Sequence, residues 1–412
     1  MTKGTSPDYS DGITSKDVEE AYEVVKPVIK NTPLERSGSI SELSGANVFL
    51  KLENLQRAGS FKIRGAYNLL SRMRKNVVAA SAGNHSQGVA LASSLLGLKS
   101  LVVMPQFASP VKVAATQEYG AEVILYGESF DEATDRAKKI AAETGAVFAH
   151  AFDNPYIIAG QGTIGVEILD QMDDFDSIII PVGGGGLISG ISTYLRGKGY
   201  KGKIIGVESE KAASMQESLK KGVPVKLESV ATIADGIAIK SPSQLTVNIC
   251  KKYVDSVVTV SDDEISSAMF TLLERGKIVS EPAGAAGVAA LISGKIDVKG
   301  SNVVALISGG NVDMTLLSQI IEKNLLEKGR EFVISFIVNN TPSEMKKAIE
   351  LFSEMKLNIE ELHTELFGED IGVGKQKIRA RLKIYGNDDL SKIRARFDSY
   401  GFRIVELRGA KF

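Results

Sequence analysis

Ser177-Ile178-Ile179-Ile180-Pro181-Val182 runs directly into Gly183-Gly184-Gly185-Gly186 and then into Leu187-Ile188-Ser189-Gly190. The first segment is an apolar run without polar alternation, as expected of a strand covered on both faces. The glycines bare their backbone amides, and the residues after them open a helix. Amides at such a helix start, with the dipole behind them, make a cradle for a phosphate. Two other readings stay open. Gly184, Gly186 and Gly190 are spaced G-x-G-x-x-x-G, and Glu208 ends a later strand 22 residues after Gly186. That imitates a dinucleotide-binding unit, in which the acid would meet a ribose. The glycines could also serve a tight turn alone.

The same pattern repeats on either side. Strands are expected at Asn47 to Leu52, Val77 to Ala80, Ser100 to Met104, Ala121 to Leu125, Lys203 to Glu208 and Asn302 to Ile307. Helical patterns lie between them, at His85 to Leu96, Ser109 to Tyr119, Asp131 to Thr144 and Tyr156 to Met172. Thr14-Ser15-Lys16-Asp17 is a capping box before the first helix. Alternating strands and helices predict an α/β protein with parallel sheets flanked by helices. Past Leu326 to Arg330 the glycine-rich and alanine-rich texture ends. A strand (Phe332 to Val338), a helix (Pro342 to Met355), two strands (Asn358 to Leu366 and Ile378 to Tyr385), a helix (Asp388 to Tyr400) and a strand (Phe402 to Leu407) follow. That βαββαβ order predicts a small α+β ferredoxin-like module at 329–412, after a first domain at 1–328.

Composition narrows the function. The chain has 412 residues, 43% hydrophobic and 24% charged, with a formal net charge of -1. No basic surface argues for nucleic acid. No apolar run reaches the about 18 residues of a membrane span, and the polar start, Met1 to Gly12, does not resemble a secretory signal. One cysteine, Cys250, excludes an intrachain disulfide, which fits the cytoplasm. Three scattered histidines, His85, His150 and His363, argue against a zinc cluster, and no metal is expected.

Three more segments carry chemistry. Ser60-Phe61-Lys62-Ile63-Arg64-Gly65-Ala66 places a lysine at a helix start, where the dipole disfavours the ammonium and so favours the nucleophilic amine. Taken alone, such a lysine is ordinarily a solvated charge. Ser81-Ala82-Gly83-Asn84-His85 follows the strand Val77 to Ala80, at the strand end where ligands bind in open sheets. Its amides suit a carboxylate, and Asn84 can face a hydroxyl; an ordinary N-cap is the alternative. Ser308-Gly309-Gly310-Asn311 follows Asn302 to Ile307. A hydroxyl there can meet a pyridine nitrogen without protonating it, which suits elimination. The other reading is a turn of small residues.

Together these four motifs, in this order from about residue 15 to 328, resemble the threonine dehydratase (threonine ammonia-lyase) branch of the fold-type II pyridoxal-phosphate enzymes. The resemblance implies two lobes, the smaller inserted near 53–153, with pyridoxal 5'-phosphate in the cleft between them. It implies Lys62 as the Schiff-base lysine and general base, Phe61 against the ring, and Asn84 at the ring hydroxyl. It implies Gly183, Gly184, Gly185, Gly186 and Leu187 at the phosphate, and Ser308 at the pyridine nitrogen. Ser81, Gly83, Asn84 and His85 would bind the substrate carboxylate. Glu281 would stand in the pocket wall, or else be an exposed acid before a helix. The activity implied is removal of water and ammonia from threonine or serine, in isoleucine biosynthesis. Serine racemisation, β-replacement and a non-catalytic amino-acid sensor are the alternatives.

Two departures bear on these alternatives. Relatives that racemise serine carry a serine where this chain has Ala82, which can neither give nor take a proton. Relatives that bind a divalent cation carry an aspartate where this chain has Ser214, although Glu208 and Ala212 fit; Glu208 then reads as a solvated strand-end acid. The tail resembles an ACT-type regulatory domain, which implies isoleucine as effector, opposed by valine, and a homodimer or homotetramer. The usual Arg-Pro-Gly turn is replaced by Val338-Asn339-Asn340-Thr341-Pro342-Ser343, so oligomerisation or a plain structural role are alternatives. The basic alternation at Lys375, Lys377, Arg379, Arg381 and Lys383 reads as the solvated face of a strand.

Overall fold

A computed structural model describes residues 12–383 and 390–409. The ends of two expected C-terminal elements, Tyr385 and Asp388, and the start of the polar N-terminus lie outside the described residues. The chain divides into two compact units, Met1–Asp313 and Met314–Phe412.

The first unit holds two sheets. The larger has six strands: Leu34–Arg36 (β1), Asn47–Leu52 (β2), Ser177–Pro181 (β7), Lys203–Ser209 (β8), Ser256–Val260 (β9) and Asn302–Ile307 (β10). Their order is β1-β2-β10-β7-β8-β9. Every pairing is parallel except β1 with β2. The smaller sheet is parallel throughout: Val77–Ala80 (β3), Ser100–Met104 (β4), Glu122–Leu125 (β5) and Val147–Phe148 (β6), in the order β5-β4-β3-β6. Its residues fall between β2 and β7, so the smaller lobe interrupts the larger. β7 is buried at every position, as its unbroken apolar run required. Because β2, β10, β7 and β8 run parallel, their C-terminal ends share one edge, and the loops after them meet there.

The helix Pro155–Gln171 is buried along most of its length. Asn154 caps it, its side chain accepting from the Tyr156 and Ile157 amides. A β-carbon on Gly160 would lie 2.6 Å from the Gly65 α-carbon, so the two glycines let this helix press against the helix Lys62–Met73.

Between these elements lies a dry cluster of four charges, Lys51, Glu53, Arg64 and Glu167. The Arg64 guanidinium donates to both oxygens of Glu53 at 2.7 and 2.8 Å and both oxygens of Glu167 at 2.7 and 2.9 Å, and its fifth N–H reaches Thr163. Lys51 spends its three protons on the Thr32 carbonyl, Glu167 and Gln171. Burial works against the charge on Glu53, but Arg64 more than offsets it and holds the carboxyl below its ordinary range. Every donor of both cations is used, the condition under which buried charges are tolerated.

The second unit contains the helix Met314–Glu327 and an antiparallel sheet of Glu331–Asn339 (β11), Asn358–Glu365 (β12), Lys375–Lys383 (β13) and Arg403–Arg408 (β14). The strand order β12-β13-β11-β14, with helices Pro342–Glu354 and Leu390–Ser399 as crossovers, is ferredoxin-like. A phenylalanine-rich core of Phe332, Phe336, Phe352, Phe397 and Phe402 fills it. The division falls at 313/314 rather than at the expected 328/329. The helix Met314–Glu327 lies before the expected boundary and groups with the second unit. β13 alternates as its sequence suggested, with Ile378, Ala380 and Leu382 buried. Its basic face is not simply solvated: Lys377 pairs with Glu365 and Asp370, and Arg381 with Glu361.

Removing one charge from the dry cluster strands its partner. Glu53→Gln or Glu167→Gln is expected to lower the unfolding free energy by about 3–5 kcal/mol, measured by urea denaturation. A loss below 1 kcal/mol would show that water reaches the cluster.

Candidate active site

Lys62 opens the helix Lys62–Met73, and the preceding Phe61 carries no side-chain cap. The Phe61 amide donates to the Ser308 carbonyl at 3.2 Å, and the Gly310 amide donates back to the Gly59 carbonyl at 2.9 Å. These bonds fasten the lysine loop to the end of β10. The Lys62 amine stands 4.9 Å from the centre of the Phe61 ring. From the other side, a β-carbon on Gly88 would lie 3.0 Å from the Lys62 backbone, so the helix Asn84–Leu95 packs closely on the lysine.

Burial pushes the Lys62 amine down to about 8, while the Glu281 carboxylate pulls the other way. At pH 7 about a tenth of such an amine is free of its proton, against roughly three in ten thousand for an ordinary lysine. Glu281 is itself buried. Burial, and then the Asp235 carboxylate, push it up to about 8 against Asn84, Lys112 and Lys62. A carboxylic acid beside a free amine is therefore within reach near neutrality.

Asn84 links the lobes. Its Nδ2 donates to Glu281 Oε1 at 2.6 Å, and its Oδ1 accepts from Asn311 Nδ2 at 2.9 Å. Asn311 Nδ2 also lies 3.1 Å from Gln87 Oε1 and 2.8 Å from the Ala58 carbonyl. The chain of bonds fixes which way the Asn84 amide faces and leaves its second N–H for a ligand. The Glu281 amide donates to the Gly309 carbonyl at 3.1 Å. Glu281 thus stands in the site wall and is not an exposed acid.

In the other loops, Ser81 Oγ accepts from the Gly83 amide at 3.2 Å. The His85 ring is engaged elsewhere: its Nε2–H donates to the Ala149 carbonyl at 2.8 Å. Burial, and then the Lys62 charge, push its pKa down to about 3, so the ring is neutral. The part of His85 available to a carboxylate is its backbone amide. Among the described residues, the amides of Asn84, His85 and Gly183 through Leu187 donate to no other protein group. The hydroxyl of Ser60 and Nδ1 of His85 are buried without a partner.

The glycine loop is tightly shaped. A β-carbon on Gly184 would lie 2.2 Å from the Phe152 ring, and one on Gly183 would lie 3.0 Å from the Ile237 backbone. Gly185 has φ +87, open to glycine at little cost. Leu187 packs in the same hydrophobic cluster as Phe61. The structure therefore gathers Phe61, Lys62, Asn84, Ser308 and the glycine loop at one edge.

Glu208 requires a correction. It is buried, and its two oxygens accept from the Met215 and Gln216 amides, each at 2.8 Å. Burial raises it to about 8. It is neither a solvated acid nor free for a ribose, which removes the support for a dinucleotide site. Phe152, Gln87, Asp235 and Ile237 were not foreseen. Phe152, Asp235 and Ile237 reach the site from distant segments, whereas Gln87 sits one turn beyond Asn84 on the helix Asn84–Leu95. Asn311 was legible only as part of the serine-glycine turn.

Comparison with known proteins agrees with this geometry. The family described as "Pyridoxal-phosphate dependent enzyme" matches residues 25–309. The chain is 42% identical over 397 residues to an L-threonine ammonia-lyase of Thermotoga maritima, covering 95% of this chain and 99% of that one. It is 46% identical over 318 residues to the catabolic L-threonine dehydratase TdcB of Staphylococcus aureus, covering 75% and 92%. Among solved structures, the processed threonine deaminase isoform 2 of Solanum lycopersicum superposes with a TM-score of 0.71 at 38% identity, covering 78% of this chain and 93% of that one. Maize serine racemase superposes with a TM-score of 0.72 at 35% identity, covering 76% and 98%.

Gly184→Ala must displace Phe152 or the loop itself. Binding of pyridoxal phosphate, followed by calorimetry on the protein stripped of cofactor, is expected to weaken at least ten-fold, and unchanged affinity would remove the loop from the phosphate site.

Proposed function

The chain belongs to the pyridoxal-phosphate-dependent enzyme family, and we propose that it converts L-threonine to 2-oxobutanoate and ammonia, and L-serine to pyruvate and ammonia. The observation that carries this reading is the buried Lys62 amine, held near pKa 8, together with a run of undonated glycine amides after β7.

The residues fit the cofactor. The amides of Gly183 to Leu187 would hold its anionic phosphate, Asn84 its ring hydroxyl, Ser308 its pyridine nitrogen and Phe61 its ring. Bound pyridoxal phosphate supplies an aldehyde for amines and a ring that takes up the electron pair left when the α-carbon loses its proton.

The protein's own part is proton handling and placement. Lys62 Nζ, as a free amine, would receive the α-proton as general base. The helix-start amides of Asn84 and His85 hold the substrate carboxylate. Glu281 keeps the Asn84 amide in place and, uncharged, leaves the free amine of Lys62 accessible. The β-hydroxyl departs as water, and the released enamine hydrolyses to the 2-oxo acid and ammonia, so one water leaves and one returns. Ala82 has no proton to deliver to the α-carbon, which favours elimination over racemisation.

For the second unit we propose a regulatory role, with isoleucine as effector and valine opposing it, in a homodimer or homotetramer. Its ferredoxin-like sheet and the exposed edge strand β12 support this. No helix among the described residues is long and apolar enough to cross a membrane. Cys250, buried and unpaired, fits a reducing cytoplasm.

Lys62→Ala is expected to cut 2-oxobutanoate formation from L-threonine at least about a thousand-fold. A low-pKa amine reacts only when unprotonated, so the rate at which cofactor-stripped protein takes up pyridoxal phosphate should rise as pH climbs through about 8. D-serine should not accumulate from L-serine. A fully active Lys62→Ala variant, or racemisation outrunning elimination, would overturn the reading.

A further inference from the structure

The long irregular segment between the helices Ser214–Lys221 and Gln244–Tyr253 carries only one short turn, Asp235–Ile237. Irregular segments of this length in compact domains usually have a function. Midway along, it is anchored to the larger lobe, where Asp262 accepts from the Thr232 hydroxyl and the Ile233 amide and pairs with Lys211. Its turn lies over the candidate site. The Ile237 backbone backs Gly183, and a β-carbon on Gly236 would meet Ala283 at 2.9 Å and Glu281 at 3.7 Å.

From this turn Asp235 crosses to the smaller lobe and pairs with Lys112 on the helix Pro110–Glu118. That helix is tied to the asparagine loop. The Thr116 hydroxyl, bonded to the Lys112 carbonyl, lies 3.0 Å from Ser86 Oγ, which donates to the Gly83 carbonyl at 2.5 Å. A second pair, Lys226 with Asp131, joins the same segment to the smaller lobe at 3.6 Å.

We propose that Lys112 and Asp235 are a positioning pair, a clasp that brings the asparagine loop of one lobe against the glycine loop and Glu281 of the other when substrate is bound. Neither side chain touches the reacting atoms. The pair acts through what it joins: Lys112 through Thr116, Ser86 and Gly83, and Asp235 through Gly236 and Ile237. Asp235 is 57% exposed and Lys112 24%, so water competes for both charges and the clasp is weak. Weakness suits a contact that must open to admit an amino acid and release a 2-oxo acid at each turnover. The inference rests on the proposed function, because that reading makes the two loops halves of one substrate site.

The test uses the holoenzyme and the variants K112A, D235N and K112D/D235K. Each single variant is expected to raise the KM for L-threonine roughly five-fold, the upper end for one partly exposed ion pair. The charge-swapped double variant should restore KM to within two-fold. Added sodium chloride at about 0.5 M should raise the wild-type KM towards that of K112A and leave K112A unchanged. Amide hydrogen exchange of residues 235–239 should speed up by a similar factor in the single variants and recover in the double. Wild-type KM and exchange in both single variants would overturn the clasp, as would a double variant no better than the singles. Failure of wild-type enzyme to make 2-oxobutanoate would instead overturn the functional reading, while the exchange measurement still decides on the clasp.

Discussion

Four buried charges decide where the lysine sits. Arg64 lies two residues beyond Lys62, and all five of its N–H bonds are taken by Glu53, Glu167 and Thr163. A buried guanidinium cannot move away from its carboxylates without stranding charge in a low-dielectric interior. The start of the helix Lys62–Met73 is therefore locked to the end of β2 through Glu53 and to the helix Pro155–Gln171 through Glu167. The cluster is also balanced, two cations against two anions. None of its four members is among the causes of the Lys62 shift, which are burial and Glu281 alone.

With the lysine fixed, the parallel sheets supply the rest. The ends of β2, β7 and β10 lie side by side, which sets the lysine loop, the glycine loop and the Ser308 turn at one edge. The end of β3 in the smaller lobe brings Asn84 to the same place. Across that meeting point the bonds Asn311 to Asn84 to Glu281 join the lobes and orient an amide. The chemistry follows from placement: an amine made easier to deprotonate by burial, and an anion cradle made of backbone that side chains would fill.

Much of this was legible in the sequence because the relevant signals are local. A short apolar run rich in β-branched residues and ending in a glycine or serine loop reads as a buried strand, and β2, β3, β4, β7 and β10 occupy the expected residues. The four loop motifs directly follow those strands or, for Lys62, a short turn beyond one. The short edge strands β1, β6 and β9 were not foreseen, since two or three residues, or a half-buried run such as Ser256 to Val260, carry no clear period. Partnerships were illegible for a different reason. Nothing near Arg64 announces that Glu167, a hundred-odd residues away, will neutralise it. Glu208 looked like a surface acid at a strand end because the two amides that bury it belong to the next helix. The helix Met314–Glu327 precedes the expected boundary but groups with the second unit.

The account stands on Lys62 carrying the cofactor. Reduction of the purified holoenzyme with borohydride, digestion and mass spectrometry of the peptides tests this directly. The result predicted is a pyridoxyl group on the peptide that contains Lys62 and on no other lysine. An adduct at a different lysine, or none at position 62 in protein that still turns threonine over, would contradict it.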